Sequence, residues 1–167
     1  MPTLYIFSGL PGTGKTTLSQ ALAKQISAVY LRIDTIEQEI RDLCAIEIQG
    51  EGYELAYRIA ADNLQLGISV VADSCNPVEL TRSAWEKVAL EADAKYINIE
   101  IVCSDRSEHR DRIETRASSI PGLRLPTWQD VENRDFQPWS GNRIVIDTSG
   151  QSEKESCDRL LSALSNM

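Results

Sequence analysis

Gly9-Leu10-Pro11-Gly12-Thr13-Gly14-Lys15-Thr16 decides how this chain reads. The eight residues fit G-x-x-x-x-G-K-[ST], a pattern in which each part has a physical reason. Glycines let the backbone turn so that successive N–H groups face one phosphate-sized concavity. A helix that follows points its partially positive N-terminus at the same anion. Lys15 reaches the β- and γ-phosphates of a nucleotide, and the Thr16 hydroxyl suits Mg²⁺. The candidate nucleotide contacts are therefore Gly9, Pro11, Gly12, Thr13, Gly14, Lys15, Thr16 and Thr17.

The flanks of the loop agree with that reading. Leu4-Tyr5-Ile6-Phe7 before it is a short buried-strand signal, and Leu18, Leu22 and Ile26 after it mark one face of a helix. Further strand signals lie at 29–33, 68–72, 97–103 and 143–146. Helical patterns fill 14–27, 35–46, 51–66, 77–94, 106–118 and 152–165, with a short one near 127–135. Strands alternating with helices imply βαβ units, hence an α/β fold with a parallel sheet covered on both faces. Residues 119–142 hold three of the six prolines and two of the three tryptophans, and read as a flap on the sheet domain.

Length and charge narrow the classes. The chain has 167 residues, which fits one domain. A net charge of −8 argues against broad electrostatic binding of nucleic acid. The four cysteines, Cys44, Cys75, Cys103 and Cys157, are spaced too widely for a zinc pattern and read as reduced thiols. No basic, apolar leader opens the sequence, and no apolar run approaches the roughly 20 residues that span a bilayer. The expectation is a cytoplasmic single-domain protein, residues 1–167, with no membrane partner.

Ligands of open parallel sheets bind beyond the carboxyl ends of the strands. Asp34, Asp73 and Asp147 follow the second, third and fifth strand signals. Asp34 suits a general base beside an attacking hydroxyl, or the N-cap of a helix beginning near Thr35. Asp73 suits support of Mg²⁺, or a turn before Asn76-Pro77. Asp147 to Gly150 reads as a helix-entry turn or a loop beside the nucleotide base. Residues 105–118 form a candidate lid helix in which Arg112 and Arg116, four apart, share one face. They suit the charge that develops on a transferring phosphoryl group. The alternative is a solvated helix with Glu108–Arg112 and Arg110–Glu114 pairs. His109, the single histidine, reads as a packing or surface residue. In the flap, Thr127 is a candidate N-cap with Asp130 at the third helical position. Trp128 and Trp139 either glue the flap down or line a pocket. Arg41, Arg124 and Arg134 are candidate contacts for an anionic substrate.

Together, Gly9 to Thr16, Arg32-Ile33-Asp34, Val71 to Pro77 with Arg82 and Trp85, and Arg112 with Arg116 resemble P-loop kinases of the polynucleotide-kinase and gluconate-kinase-like group, within the AAA-type ATP-binding proteins. The resemblance covers about residues 1–118. It implies a three-layer P-loop NTPase fold with five parallel strands in the order 2-3-1-4-5 and a lid. It implies ATP and Mg²⁺ as cofactors, held at Lys15 and Thr16, with Asp34 as general base and Arg116 as lid arginine beside Arg112. Polynucleotide kinases carry an arginine three residues after the base, where this chain has Glu37; its next arginine is Arg41. That departure turns the expectation toward transfer of the γ-phosphate of ATP to a hydroxyl of a small-molecule acceptor. A polynucleotide 5′-hydroxyl kinase, with a basic groove across Arg41, Arg82 and the flap, is one alternative. A nucleotide-binding switch with slow ATP hydrolysis is the other.

Overall fold

A computed structural model describes residues 1–166. Its strands are β1 (Thr3–Ser8), β2 (Val29–Arg32), β3 (Val70–Asp73), β4 (Lys95–Val102) and β5 (Ile144–Asp147). Its helices are α1 (Lys15–Ile26), α2 (Ile33–Cys44), α3 (Glu51–Gln65), α4 (Glu79–Glu91), α5 (Arg106–Thr115), α6 (Trp128–Glu132) and α7 (Glu153–Ser165). All strand pairs are parallel, and the order is β2-β3-β1-β4-β5, as the resemblance implies. β1 and β3 therefore lie at the centre. Their near-continuous apolar residues follow from burial on both faces. Side chains alternate strictly: Leu4, Ile6, Val70 and Ala72 face α3 and α4, while Phe7 and Val71 face α1 and α7. Trp85 fills the first core, fully buried, with Tyr57 edge-on at 4.6 Å. Among the described residues no helix is long and apolar enough to cross a membrane.

Three local expectations change. Helix α2 begins at Ile33, with Arg32 as its extended N-cap, so Asp34 lies inside the first turn and is not the cap. Helix α5 ends at Thr115, and Arg116 is its extended C-cap (φ −71°, ψ 149°). Arg112 and Arg116 thus do not share a helical face. The Thr115 hydroxyl bonds back to the Asp111 carbonyl, and the Ser118 hydroxyl bonds to Ile120, offering the backbone alternatives to another helical turn. The third change concerns Arg82, placed on a basic groove by the polynucleotide alternative. It is 1% exposed. Its guanidinium donates to the carbonyls of Asn76 at 2.9 Å, Pro77 at 3.3 Å, Gln137 at 2.8 Å and Pro138 at 3.3 Å. Trp139 lies 4.2 Å from it in cation–π geometry. Arg82 is therefore the clamp that ties the start of α4 to the end of the flap.

The flap has two further anchors. Thr127 and Asp130 form a complete capping box at the start of α6, whose Trp128 stands edge-on to His109 of α5. Gly122 lies against Gln38 and Asp42 of α2. The tryptophans thus fasten the flap, one near its middle and one near its end.

Arg82→Ala removes the side-chain donor from the carbonyls of Asn76, Gln137 and Pro138, while Pro77 O keeps its bond from the Gln137 N–H. It is expected to lower unfolding free energy by about 2–3 kcal/mol in urea denaturation. A loss below about 0.5 kcal/mol, the ordinary surface value, would mean the seam is wet and the clamp idle.

Candidate functional site

The phosphate loop connects β1 to α1, and its shape is enforced by close contacts. Gly9 has φ +134°, and a Cβ there would stand 2.2 Å from the Ile101 carbonyl oxygen of β4. Gly12 has φ +81°, and a Cβ there would stand 2.6 Å from Ile113 Cδ1 of α5. Glycine is the residue that tolerates both the backbone angle and the approach. The loop's carbonyls are met by side chains, one carbonyl from within the loop and two from distant segments. Leu10 O accepts from Thr13 Oγ1 and from Lys15 Nζ, each at 2.9 Å. Thr13 O accepts from Thr148 Oγ1 at 2.8 Å, and His109 Nε2 lies 2.7 Å from Pro11 O.

One cavity of about 1080 Å³ opens from this loop. Pro11, Gly12, Gly14, Lys15, Thr16 and Thr17 line it, whereas Gly9 and Thr13 do not. Asp73, 4% exposed, ends β3 directly beside the loop. The Thr16 hydroxyl donates to its Oδ2 at 2.8 Å and the Tyr30 hydroxyl at 2.7 Å, with Arg32 Nε at 3.9 Å. Parallel register places Arg32 opposite Asp73. Burial, then the Asp73 charge and its hydrogen bond, push the Tyr30 phenol far above its ordinary range, so it stays a donor. A hydroxyl and a carboxylate in contact beside a phosphate loop are a donor set of the kind Mg²⁺ takes.

Asp34, Glu37 and Arg41 of α2 line the opposite wall. Asp34 is exposed to the cavity. Glu37 is raised above the ordinary carboxylate value by burial, which Arg41 opposes and Asp34 and Glu51 reinforce. Arg41 donates to Gln38 and to Glu37, so its charge is partly answered within its own helix. Arg112 donates to the Thr148 hydroxyl at 2.8 Å and the Thr148 carbonyl at 2.9 Å, and also pairs with Glu108. Its fork is thereby fixed against the loop after β5. Arg116 differs: its Nε and Nη2 are buried with no acceptor among the described residues. Burial lowers its pKa, and the Asp34 charge works against that. Arg106 and Arg110 are surface residues paired with Glu132 and Glu114.

From the flap, Arg124 and Arg134 line the cavity. Arg134 donates to the Cys75 thiol at 3.3 Å, and Arg124 lies 4.0 Å from Asp130. Tyr53 and Tyr57 of α3 give the cavity an aromatic wall. Sequence reasoning passed over Tyr30, Tyr53, the side-chain contacts of Thr148 and the loop contact of His109. Thr148 alone carried a signal, since it follows a strand's carboxyl end. Asp147 forms the expected turn: the Ser104 and Ser149 groups that bond it hold its pKa at about 2 despite burial.

Gly12→Ala is expected to cost about 1–3 kcal/mol in thermal unfolding, because φ and Ile113 both oppose a Cβ. Adding Ile113→Ala relieves only the contact, so the double variant should fall short of the sum of the two losses. A strictly additive pair would place Ile113 away from Gly12.

Residues 4–129 match the model of a family described as an AAA domain. No curated protein matches the chain. A crystal structure of a candidate kinase from Chloroflexus aurantiacus is 25% identical with a TM-score of 0.75, covering 96% of this chain and 97% of that one. A gluconokinase from Sinorhizobium meliloti is 14% identical, with a TM-score of 0.72 over 99% of this chain and 93% of that one. The Mycobacterium tuberculosis APS kinase CysC, in complex with AMPPNP and APS, is 14% identical with a TM-score of 0.64 over 98% of each chain. The last two share the P-loop kinase fold with this chain.

Proposed function

The chain belongs to the AAA domain family matched by residues 4–129, and from that premise we propose that it is a P-loop kinase moving the γ-phosphate of ATP to a hydroxyl of a small-molecule acceptor. The observation that carries the reading is the single cavity shared by the phosphate loop, the Thr16–Asp73 pair, Asp34 and the unpartnered guanidinium of Arg116. Donor and acceptor chemistry would meet there.

Lys15 and the loop amides hold the β- and γ-phosphates. Thr16 and Asp73 would hold Mg²⁺, which would supply neutralisation of phosphate charge. The acceptor oxygen attacks the γ-phosphorus, the bond from that phosphorus to the bridging oxygen breaks, and ADP leaves. Asp34 takes the proton of the attacking hydroxyl. Its position in the first turn of α2, with no hydrogen-bonded partner among the described residues, leaves its oxygens available for that step. Arg116 meets the charge on the transferring group with its Nε and Nη2, which have no acceptor among the described residues. Arg112, held by Thr148, supports the donor side. Arg41, Arg124 and Arg134 face the acceptor and favour one that carries negative charge.

The polynucleotide alternative loses Arg82 to the flap seam, and it meets Glu37 where a cation would serve it.

A transfer assay with γ-labelled ATP tests the proposal, offering sugars, nucleosides, aminoglycoside-like compounds and a 5′-hydroxyl oligonucleotide. Label is expected on a small molecule. Label on the oligonucleotide would overturn the acceptor class, and release as free phosphate alone would favour a hydrolysing switch. Lys15→Ala should abolish turnover; unchanged turnover would remove the loop from the mechanism. Asp34→Asn should slow transfer by about 10²-fold to 10⁴-fold, the range for a lost general base, with ATP affinity kept. A fall in ATP affinity alone would remove Asp34 as the base.

A further inference from the structure

A phosphate loop binds through backbone N–H groups. In a trans peptide the C=O of one residue and the N–H of the next point in opposite directions within one plane. To aim an amide inward, the preceding carbonyl must be held outward. Thr148 does this for the peptide between Thr13 and Gly14, through its 2.8 Å bond to Thr13 O. The peptide between Pro11 and Gly12 is held by His109. Pro11 O can only accept, so the imidazole Nε2 carries the proton and donates across 2.7 Å.

His109 is 5% exposed. It rises from α5 beside Ile113, and its Cδ2 lies 3.4 Å from where a Gly12 Cβ would stand. Its ring meets Trp128, the first residue of α6, edge to face, with centroids 5.3 Å apart and planes at 84°. Outside Trp128, Arg106 covers the indole at 5.9 Å and pairs with Glu132 of the same short helix. Loop carbonyl, imidazole and indole are thus packed in series, and the flap is attached at the end of the series.

We infer that His109 is a positioning residue for nucleotide binding: it holds the Pro11 carbonyl outward, so that the Gly12 N–H faces the phosphates, and it carries the state of the loop to the flap through Trp128. The inference rests on the nucleotide half of the proposed function and not on the acceptor. A residue that merely fills space would affect stability but would not distinguish phosphate from the rest of the nucleotide, and it would be replaced well by phenylalanine.

The test uses the full chain, with ATP, inorganic pyrophosphate and adenosine as ligands in calorimetry, and tryptophan fluorescence as the second readout. His109→Phe keeps the aromatic edge and loses the donor. It is expected to weaken ATP and pyrophosphate binding about fivefold to tenfold, the value of one lost hydrogen bond, and to leave adenosine binding unchanged. His109→Gln offers an amide N–H near the Nε2 position and should restore most of the affinity. ATP should change the emission of the wild-type chain; Trp128→Phe should remove that change, and His109→Phe should reduce it. Equal ATP affinity in wild type and His109→Phe would overturn the inference, as would equal losses in His109→Phe and His109→Gln. Wild-type chain that binds neither ATP nor pyrophosphate would overturn the nucleotide reading itself, and the inference with it.

Discussion

An anion site made of backbone amides imposes one demand on everything around it: the carbonyls of the same peptides must turn away and be satisfied elsewhere. In this chain the demand reaches far beyond the loop. Side chains from the loop itself answer Leu10 O, but Pro11 O needs α5 and Thr13 O needs the segment after β5. Those partners are 98 and 135 residues away in sequence. The sheet order makes this feasible. With β1 between β3 and β4, and β5 beyond β4, the segments after β4 and β5 emerge on the side of the loop where its carbonyls point.

The other neighbour of β1 answers a different need. A carboxylate that is 4% exposed is costly unless it is paired and hydrogen-bonded. Asp73 has Thr16, Tyr30 and Arg32 around it, one from α1 and two from β2. The parallel register between β2 and β3 sets Arg32 opposite Asp73, so charge pairing and strand pairing reinforce one another. The Thr16 hydroxyl joins this cluster to the start of α1. The loop is therefore held by carbonyl contacts on the β4–β5 side and by a carboxylate cluster on the β2–β3 side.

What the sequence disclosed, and what it hid, divides along the range of the interactions. The loop motif, the five strand signals and the capping box at Thr127 rest on spacing of a few residues, and each stands in the structure within a few positions. Asp34, Asp73 and the arginines could be placed at strand ends and on a lid because parallel sheets put ligands there. Helix α2 lies two residues earlier than its pattern indicates, and α5 stops three residues earlier, where threonine and serine hydroxyls compete for the backbone. Arg82 was beyond reach. In the sequence it is one arginine on a helix with polar neighbours; only the return of residues 136–139 over α4 turns it into a buried clamp. Tyr30 was hidden for the same reason, because its partner Asp73 comes from another strand.

The flap carries this argument to its end. It is fastened to α2 at Gly122, to α5 at Trp128 and to α4 at Gln137, three elements that also wall the cavity. Between those anchors, Arg124 and Arg134 project toward the cavity with only weak partners, a carboxylate at 4.0 Å and a thiol at 3.3 Å. The anchors use apolar and carbonyl contacts, which hold position. The arginines have only those weak partners, which leaves their charge open to a ligand under the proposed function. Under the proposed function, acceptor choice would be distributed over α2, α3, the end of α5 and the flap, with no contiguous motif to mark it. A phosphate loop can be read from eight residues because its ligand is met by consecutive amides, whereas an acceptor met by side chains from four segments leaves no comparable trace in the linear sequence.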